Sequence, residues 1–140
     1  PDWVNTIAIT KDGKFVFVRQ YRPGLGRTSY ELCAGVCDKE DASPLVSAQR
    51  ELWEETGYGN GNWQEYMVLS PNPSTHTNVT YCFLATDVEP IAPQHLEDTE
   101  DLTVHLLTLE EVKQLLLNNE IMQSLHAAPL WRYMAEKRLI

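Results

Sequence analysis

The alternation of apolar and polar residues divides the chain into strands and helices before any chemistry is considered. Residues 6–9 and 15–19 are short β-rich runs, and Lys11, Asp12 and Gly13 between them suit a tight turn. A second turn is expected at 22–26, where Pro23, Gly24 and Gly26 interrupt the pattern. Residues 29–34 read as a third strand, ending at Gly35. The period then changes: Leu45, Ala48, Leu52 and Thr56 recur at helical spacing across 44–56, and Val46 and Trp53 widen that apolar stripe. Ser43 suits the N-cap, Pro44 the first helical position and Gly57 the stop. Residues 66–69 and 78–85 read as strands, joined by a polar, proline-containing loop at 70–77. Another strand is expected at 102–107, after which Thr108 and Glu111 form a capping box for a helix running to about Leu117. From Ile121 the tail is mostly helical, with an interruption near Pro129. Strands interleaved with flanking helices imply a layered α/β domain.

Composition narrows the classes of function. The 140 residues suffice for one domain, 1–140, with a sizeable core. No apolar run reaches the length of a membrane span, so no membrane partner is expected. The formal net charge of −9 argues against nucleic acid held on a basic surface. Cys33, Cys37 and Cys82 are odd in number and contain no C-x-x-C pair, so a disulfide framework is not expected and a reducing cytoplasm is. Cys33 and Cys37 lack nearby partners to complete a tetrahedral zinc site. No signal-peptide pattern opens the chain, and a start at Pro1 rather than Met is what a fragment or processed form would show.

The expected helix carries the strongest chemical signal. Glu51, Glu54 and Glu55 fall within one turn, and only Arg50 intersperses them. Like charges at these spacings cost roughly 0.2–0.5 kcal/mol per pair. A hard divalent cation with oxygen ligands would relieve that repulsion. A solvated acidic face accounts for the helix equally well when it is read alone.

The residues around the helix shift that balance. From Gly35 the chain reads G-V-C-D-K-E-D-A-S-P-L-V-S-A-Q-R-E-L-W-E-E-T-G-Y. This resembles the Nudix signature, G-x5-E-x7-R-E-U-x-E-E-x-G-U, with U a bulky apolar residue. Gly35, Arg50, Glu51, Leu52, Glu54, Glu55 and Gly57 match it, and Tyr58 fits the last position loosely. The mid-box Glu falls at Asp41, and one extra residue separates it from Arg50, so Glu40 or Asp41 fills that role. The resemblance implies an α/β/α sandwich with a mixed β-sheet. It implies Mg²⁺, with Mn²⁺ as a substitute, held by Glu51, Glu55 and the backbone carbonyl of Ala34. It gives Glu54 a catalytic role; Arg50, a candidate substrate contact, can reach Glu54 one turn on and is expected to orient the carboxylates more than to touch the substrate.

Outside the box, Val18-Arg19-Gln20-Tyr21-Arg22-Pro23 and Tyr30-Glu31-Leu32-Cys33-Ala34-Gly35 look like the ADP-ribose pyrophosphatase branch. Cys33 replaces the usual Pro, a change expected to affect the turn more than the chemistry. Pro73 stands sixteen residues after Gly57, as in that branch. The implied reaction is hydrolysis of the diphosphate linkage in a nucleoside diphosphate derivative, ADP-ribose or a nucleotide sugar. A nucleoside monophosphate and a sugar phosphate would leave. The family's late catalytic carboxylate falls on Glu100, with Glu97 second, although a run of charge at 97–101 also suits a solvated loop. Arg22, Glu31 and Gly35 join Arg50 as expected substrate contacts, Glu31 at the end of the strand entering the box. His76 is a further candidate contact in the proline-containing loop. The resemblance also implies a homodimer and an extra N-terminal β segment that is missing or abbreviated here. Two other readings stand beside this one: a Nudix hydrolase for another diphosphate, and a regulatory Nudix domain that binds a nucleotide without cutting it. The intact Arg-Glu and Glu-Glu pairs argue against the regulatory reading.

Overall fold

A computed structural model describes residues 1–94 and 101–140. Its strands are β1 (Trp3–Thr10), β2 (Phe15–Arg22), β3 (Arg27–Val36), β4 (Tyr58–Gly59), β5 (Asn62–Leu69), β6 (Thr80–Pro90) and β7 (Leu102–Leu107). Its helices are α1 (Pro44–Thr56), α2 (Leu109–Leu117) and α3 (Ser124–Glu136). The sheet runs β4-β6-β1-β3-β2-β7, with β5 also paired to β6. Only the β1–β6 pairing is parallel among the described strands, so the sheet is mixed as expected. Among the described residues no helix is long and apolar enough to cross a membrane.

β1 is buried on both faces, as a central strand must be. Its Ile7 and Ile9 join Phe15, Phe17, Leu32 and Leu84 in a core closed by Val112 and Leu116 of α2 and Leu130 and Met134 of α3. Its Val4 and Ala8 belong to the opposite layer, which Ala48 and Leu52 of α1 cover. Alternation along one strand thus supplies both cores of an α/β/α sandwich.

α1 begins and ends where its caps require. Ser43 Oγ accepts from the Val46 N–H at 3.3 Å, and Pro44 opens the helix. Gly57 takes the left-handed conformation at φ 76° and donates to the Trp53 carbonyl. A Cβ there would also lie 2.1 Å from the Ala92 carbonyl oxygen, so Gly57 is needed twice over. The expected stripe is shifted. Val46 and Trp53 are exposed, whereas Ser47 and Glu55 are buried with Ala48, Leu52 and Thr56. The helix presses Glu55 against β3, for reasons that lie in the site.

α3 differs from its expected form, because it runs unbroken through Pro129. A proline has no N–H for the carbonyl four residues earlier. That carbonyl, on Leu125, accepts from Asn5 Nδ2 of β1 at 2.8 Å instead. The other end of α3 is pinned to a bulge in β5 between Glu65 and Met67. There the Tyr66 hydroxyl donates to Glu136, and the Arg132 guanidinium lies 4.2 Å from the Tyr66 ring centroid.

Candidate active site

Three segments meet where β3 leaves the sheet and α1 returns over it. Gly35 lies directly beneath Glu51: a Cβ built on Gly35 would fall 2.2 Å from Glu51 Cδ and Oε2. Only a residue without a side chain lets that carboxylate rest against the backbone. One turn on, Glu55 is 9% exposed and turns into the junction. Its Oε1 accepts from the Cys33 thiol at 2.9 Å and from the Ala34 N–H at 3.2 Å. Glu51 and Glu55 therefore flank the Ala34-Gly35 backbone, one on each of its successive residues.

Arg50 organises the outer side of this array. It donates to Asp41 through Nε at 3.2 Å and Nη2 at 2.9 Å, and to Glu51 and Glu54 through Nη1 at 3.3 Å each. Its Nη2 also reaches the Val36 carbonyl at 3.4 Å. Asp41, foremost, and the charges of Glu51 and Glu54 hold its proton more tightly than an ordinary guanidinium does. In return Arg50, then Ser47, depress the Asp41 carboxyl below its usual range. The Ser47 hydroxyl donates to the same Asp41 Oδ2 at 2.6 Å. Asp41 therefore fills the mid-box position, and the extra residue before α1 is absorbed in the loop.

Arg22 and Glu31 form a second pair. Arg22 donates from Nε at 2.8 Å and Nη2 at 2.6 Å to the two oxygens of Glu31, a bidentate fork. Glu31 sits within β3 rather than at its end, and its side chain is only 3% exposed. The hydrogen bond with Glu31, and then its charge, raise the Arg22 pKa against the opposing effect of burial. Arg22, Ala34 and Gly35 line a cavity of about 440 Å³ with Trp3, Asn5 and His126. His126 is buried beside this cavity and its Nδ1 accepts from the Leu32 N–H at 2.9 Å, which leaves its ring proton on Nε2.

A model of the NUDIX domain matches residues 3–128. The chain belongs to the NUDIX family. It is 31% identical over 122 residues to the ADP-ribose pyrophosphatase of Bacillus subtilis (strain 168), covering 86% of this chain and 65% of that protein. It is 30% identical to the ADP-ribose pyrophosphatase of Mycobacterium tuberculosis (strain ATCC 25618 / H37Rv), covering 89% and 61%. The chain thus spans less than two thirds of the length of either relative. The crystal structure of an ADP compounds hydrolase superposes with a TM-score of 0.78 over 97% of this chain and 74% of that one, a likeness of fold at 22% identity.

Within this NUDIX domain the structure gathers Ala34, Gly35, Arg50, Glu51, Glu54 and Glu55 at one junction. Glu97 and Glu100 lie outside the described residues. His76 is exposed, its Nδ1 2.8 Å from the Thr75 hydroxyl. Among the described residues no three acidic, His or Cys side chains are already converged as a metal cage. The donor set nevertheless fits a hard cation: carboxylates and a backbone carbonyl, with the Gly35 cradle that a Cβ would fill. Two features escaped the sequence reading. The Cys33 thiol touches Glu55, a contact that no local pattern signals. Asn5, Thr80 and His126 line the cavity, and a buried Asn within an apolar strand was the only signal available for any of them.

Gly35→Ala is expected to rotate the Glu51 carboxylate away from the junction while sparing the fold, since the clash is with the mobile end of a side chain. Hydrolysis should fall about 10–100-fold, the range for misoriented ligands. Steady-state kinetics beside a thermal melt separates this outcome from a general loss of structure.

Proposed function

We propose that this NUDIX domain hydrolyses the diphosphate linkage of a nucleoside diphosphate derivative, ADP-ribose or a nucleotide sugar, with Mg²⁺ or Mn²⁺ at the β3–α1 junction. The reading rests on one observation: the Glu51 carboxylate is seated on the bare Gly35 backbone while Glu55 is tied to Ala34 next door. A merely solvated acidic face has no need of such a cradle. Glu51, Glu55 and the Ala34 carbonyl would hold the cation, which supplies charge neutralisation and water activation when bound. Arg50 keeps Glu51 and Glu54 in place and offsets their mutual repulsion. Glu54 stands at the solvent edge of the array, with a side chain 34% exposed, where it can accept a proton from water. Arg22, braced by Glu31, orients the diphosphate from the cavity side. The GDP-mannose pyrophosphatase of Enterobacter sp. (strain 638), 29% identical over 115 residues, supports keeping nucleotide sugars beside ADP-ribose.

The test is release of nucleoside monophosphate from ADP-ribose, GDP-mannose and dinucleoside polyphosphates with Mg²⁺ present. Cleavage of ADP-ribose or GDP-mannose that stops on chelation is expected. Folded protein that cleaves none of them defeats the reading. Glu54→Gln, Glu97→Gln and Glu100→Gln belong in the same assay, and a selective fall in kcat for one of them would identify the base.

A further inference from the structure

Three buried side-chain oxygens have no hydrogen-bond partner among the described residues: Asn5 Oδ1, Asn78 Oδ1 and Thr80 Oγ1. Buried polar atoms are nearly always paired, so an orphan needs a reason. These three are not scattered. Asn5 and Thr80, each 2% exposed, line the cavity beside Ala34 and Gly35. Asn78 lines an adjoining cavity of about 380 Å³ that shares Trp3, Gln123 and Leu125 with the first. The parallel register that sets Trp3 opposite Thr80 is what brings them together.

The polarity of the cleft is set by the fold. Asn5 Nδ2 is committed to the Leu125 carbonyl, and Asn78 Nδ2 donates to the Pro1 carbonyl at 3.2 Å. Each amide is thereby oriented with its oxygen left over as an acceptor. The Thr80 hydroxyl can accept or donate. Arg22 and His126 bring donors to the first cavity, but around these three oxygens the wall lacks them and calls for several O–H or N–H donors in a small space. A polyhydroxylated ring supplies them, whereas adenine offers a single amino group. Trp3, 38% exposed between the two cavities, adds an apolar wall for the ring's C–H face.

We propose that Asn5, Thr80 and Asn78 form the subsite that reads the uncharged, hydroxylated sugar beyond the diphosphate, with Thr80 and Asn5 as specificity-determining residues. This rests on the hydrolytic reading above for the placement of the diphosphate, since the cleft opens beside Ala34 and Gly35.

Thr80→Val isolates the claim, because it removes a hydroxyl without a protein partner and keeps the shape of the side chain. Affinities are measured by calorimetry in EDTA, where turnover is absent, for ADP-ribose against ADP and for GDP-mannose against GDP. Wild-type protein is expected to favour the sugar-bearing member of at least one pair. Thr80→Val should weaken that member about tenfold, leave the sugar-free member unchanged and leave the melting temperature unchanged or slightly raised. Equal affinities within both pairs, no measurable affinity for either sugar-bearing ligand, or a loss shared equally by both members overturns the subsite. The two readings fail separately. Hydrolysis with a Thr80→Val variant that binds like wild type removes the subsite alone. Thr80-dependent binding without any hydrolysis removes the enzymatic reading and keeps the subsite.

Discussion

Glu55→Gln is expected to lower kcat on ADP-ribose or a nucleotide sugar by at least on the order of 10²–10³-fold, the scale on which loss of one preorganised electrostatic group is felt. The residue is suited to a clean experiment. Its Oε1 receives the Cys33 thiol and the Ala34 N–H, and a glutamine oxygen can receive both. The variant therefore retains the contacts that fasten α1 to β3 and loses the negative charge. The melting temperature should stay within a few degrees of wild type, by the usual correspondence of about 1 kcal/mol with a few degrees in a domain of this size. Added Mn²⁺ should recover little, since the deficit is a missing anionic oxygen and not a weakly held ion. Activity within a factor of a few of wild type would remove Glu55 from the metal platform. Cys33→Ala provides a graded companion, because it withdraws one donor from the same carboxylate and leaves its charge.

Acid is expected to destabilise the domain through His126 before its carboxylates titrate fully. Burial pushes the His126 imidazole down to about 4 from an ordinary 6.5, with Glu31 raising it and Arg22 lowering it by smaller amounts. Geometry adds a second obstacle to protonation: Nδ1 accepts from the Leu32 N–H, so a second ring proton would displace a backbone hydrogen bond inside the core. The folded state thus binds fewer protons than the unfolded state between about pH 6.5 and 4. Stability therefore holds above pH 6.5, falls as pH drops through that window and levels off, for this group, below pH 4. The full loss is about 3 kcal/mol, from about 1.4 kcal/mol per unit of pKa difference. Urea unfolding of wild type against His126→Asn across this range isolates the contribution, because an Asn oxygen can accept from Leu32 and carries no titrating group. The wild-type curve should be steeper by about that amount, and parallel curves would show that His126 is not what acid acts on.

Much of the site was legible before the fold. The bounds of α1 follow from Ser43, Pro44 and Gly57, and those of α2 begin with the box made by Thr108 and Glu111, because caps act over one helical turn. The i, i+3 and i+4 placement of Glu51, Glu54 and Glu55, and the reach of Arg50 to Glu54, are likewise properties of a helix alone. Other residues misled for a common reason. Val46 and Trp53 look like core, yet α1 buries Ser47 and Glu55 instead, since the side it turns inward depends on what β3 offers it. Pro129 looks like a helix break, yet Asn5 of a distant strand satisfies the carbonyl that the proline leaves free. Glu31 looks like a strand-end residue, yet it lies within β3, buried against Arg22.

The sequence by itself determined the bounds of α1, the capped start of α2, the carboxylate array with its arginine and the family to which they belong, because each depends on neighbours within a turn or a short motif. Only the tertiary structure decided that Gly35 carries the weight of Glu51, that Cys33 touches Glu55 and that Asn5 and Thr80 face one cleft. The first two join β3 to α1, and the last depends on a parallel pairing of β1 with β6 that no local pattern encodes. The chemistry of the diphosphate is thus written along one helix, whereas recognition of what the diphosphate carries depends on how the strands come together.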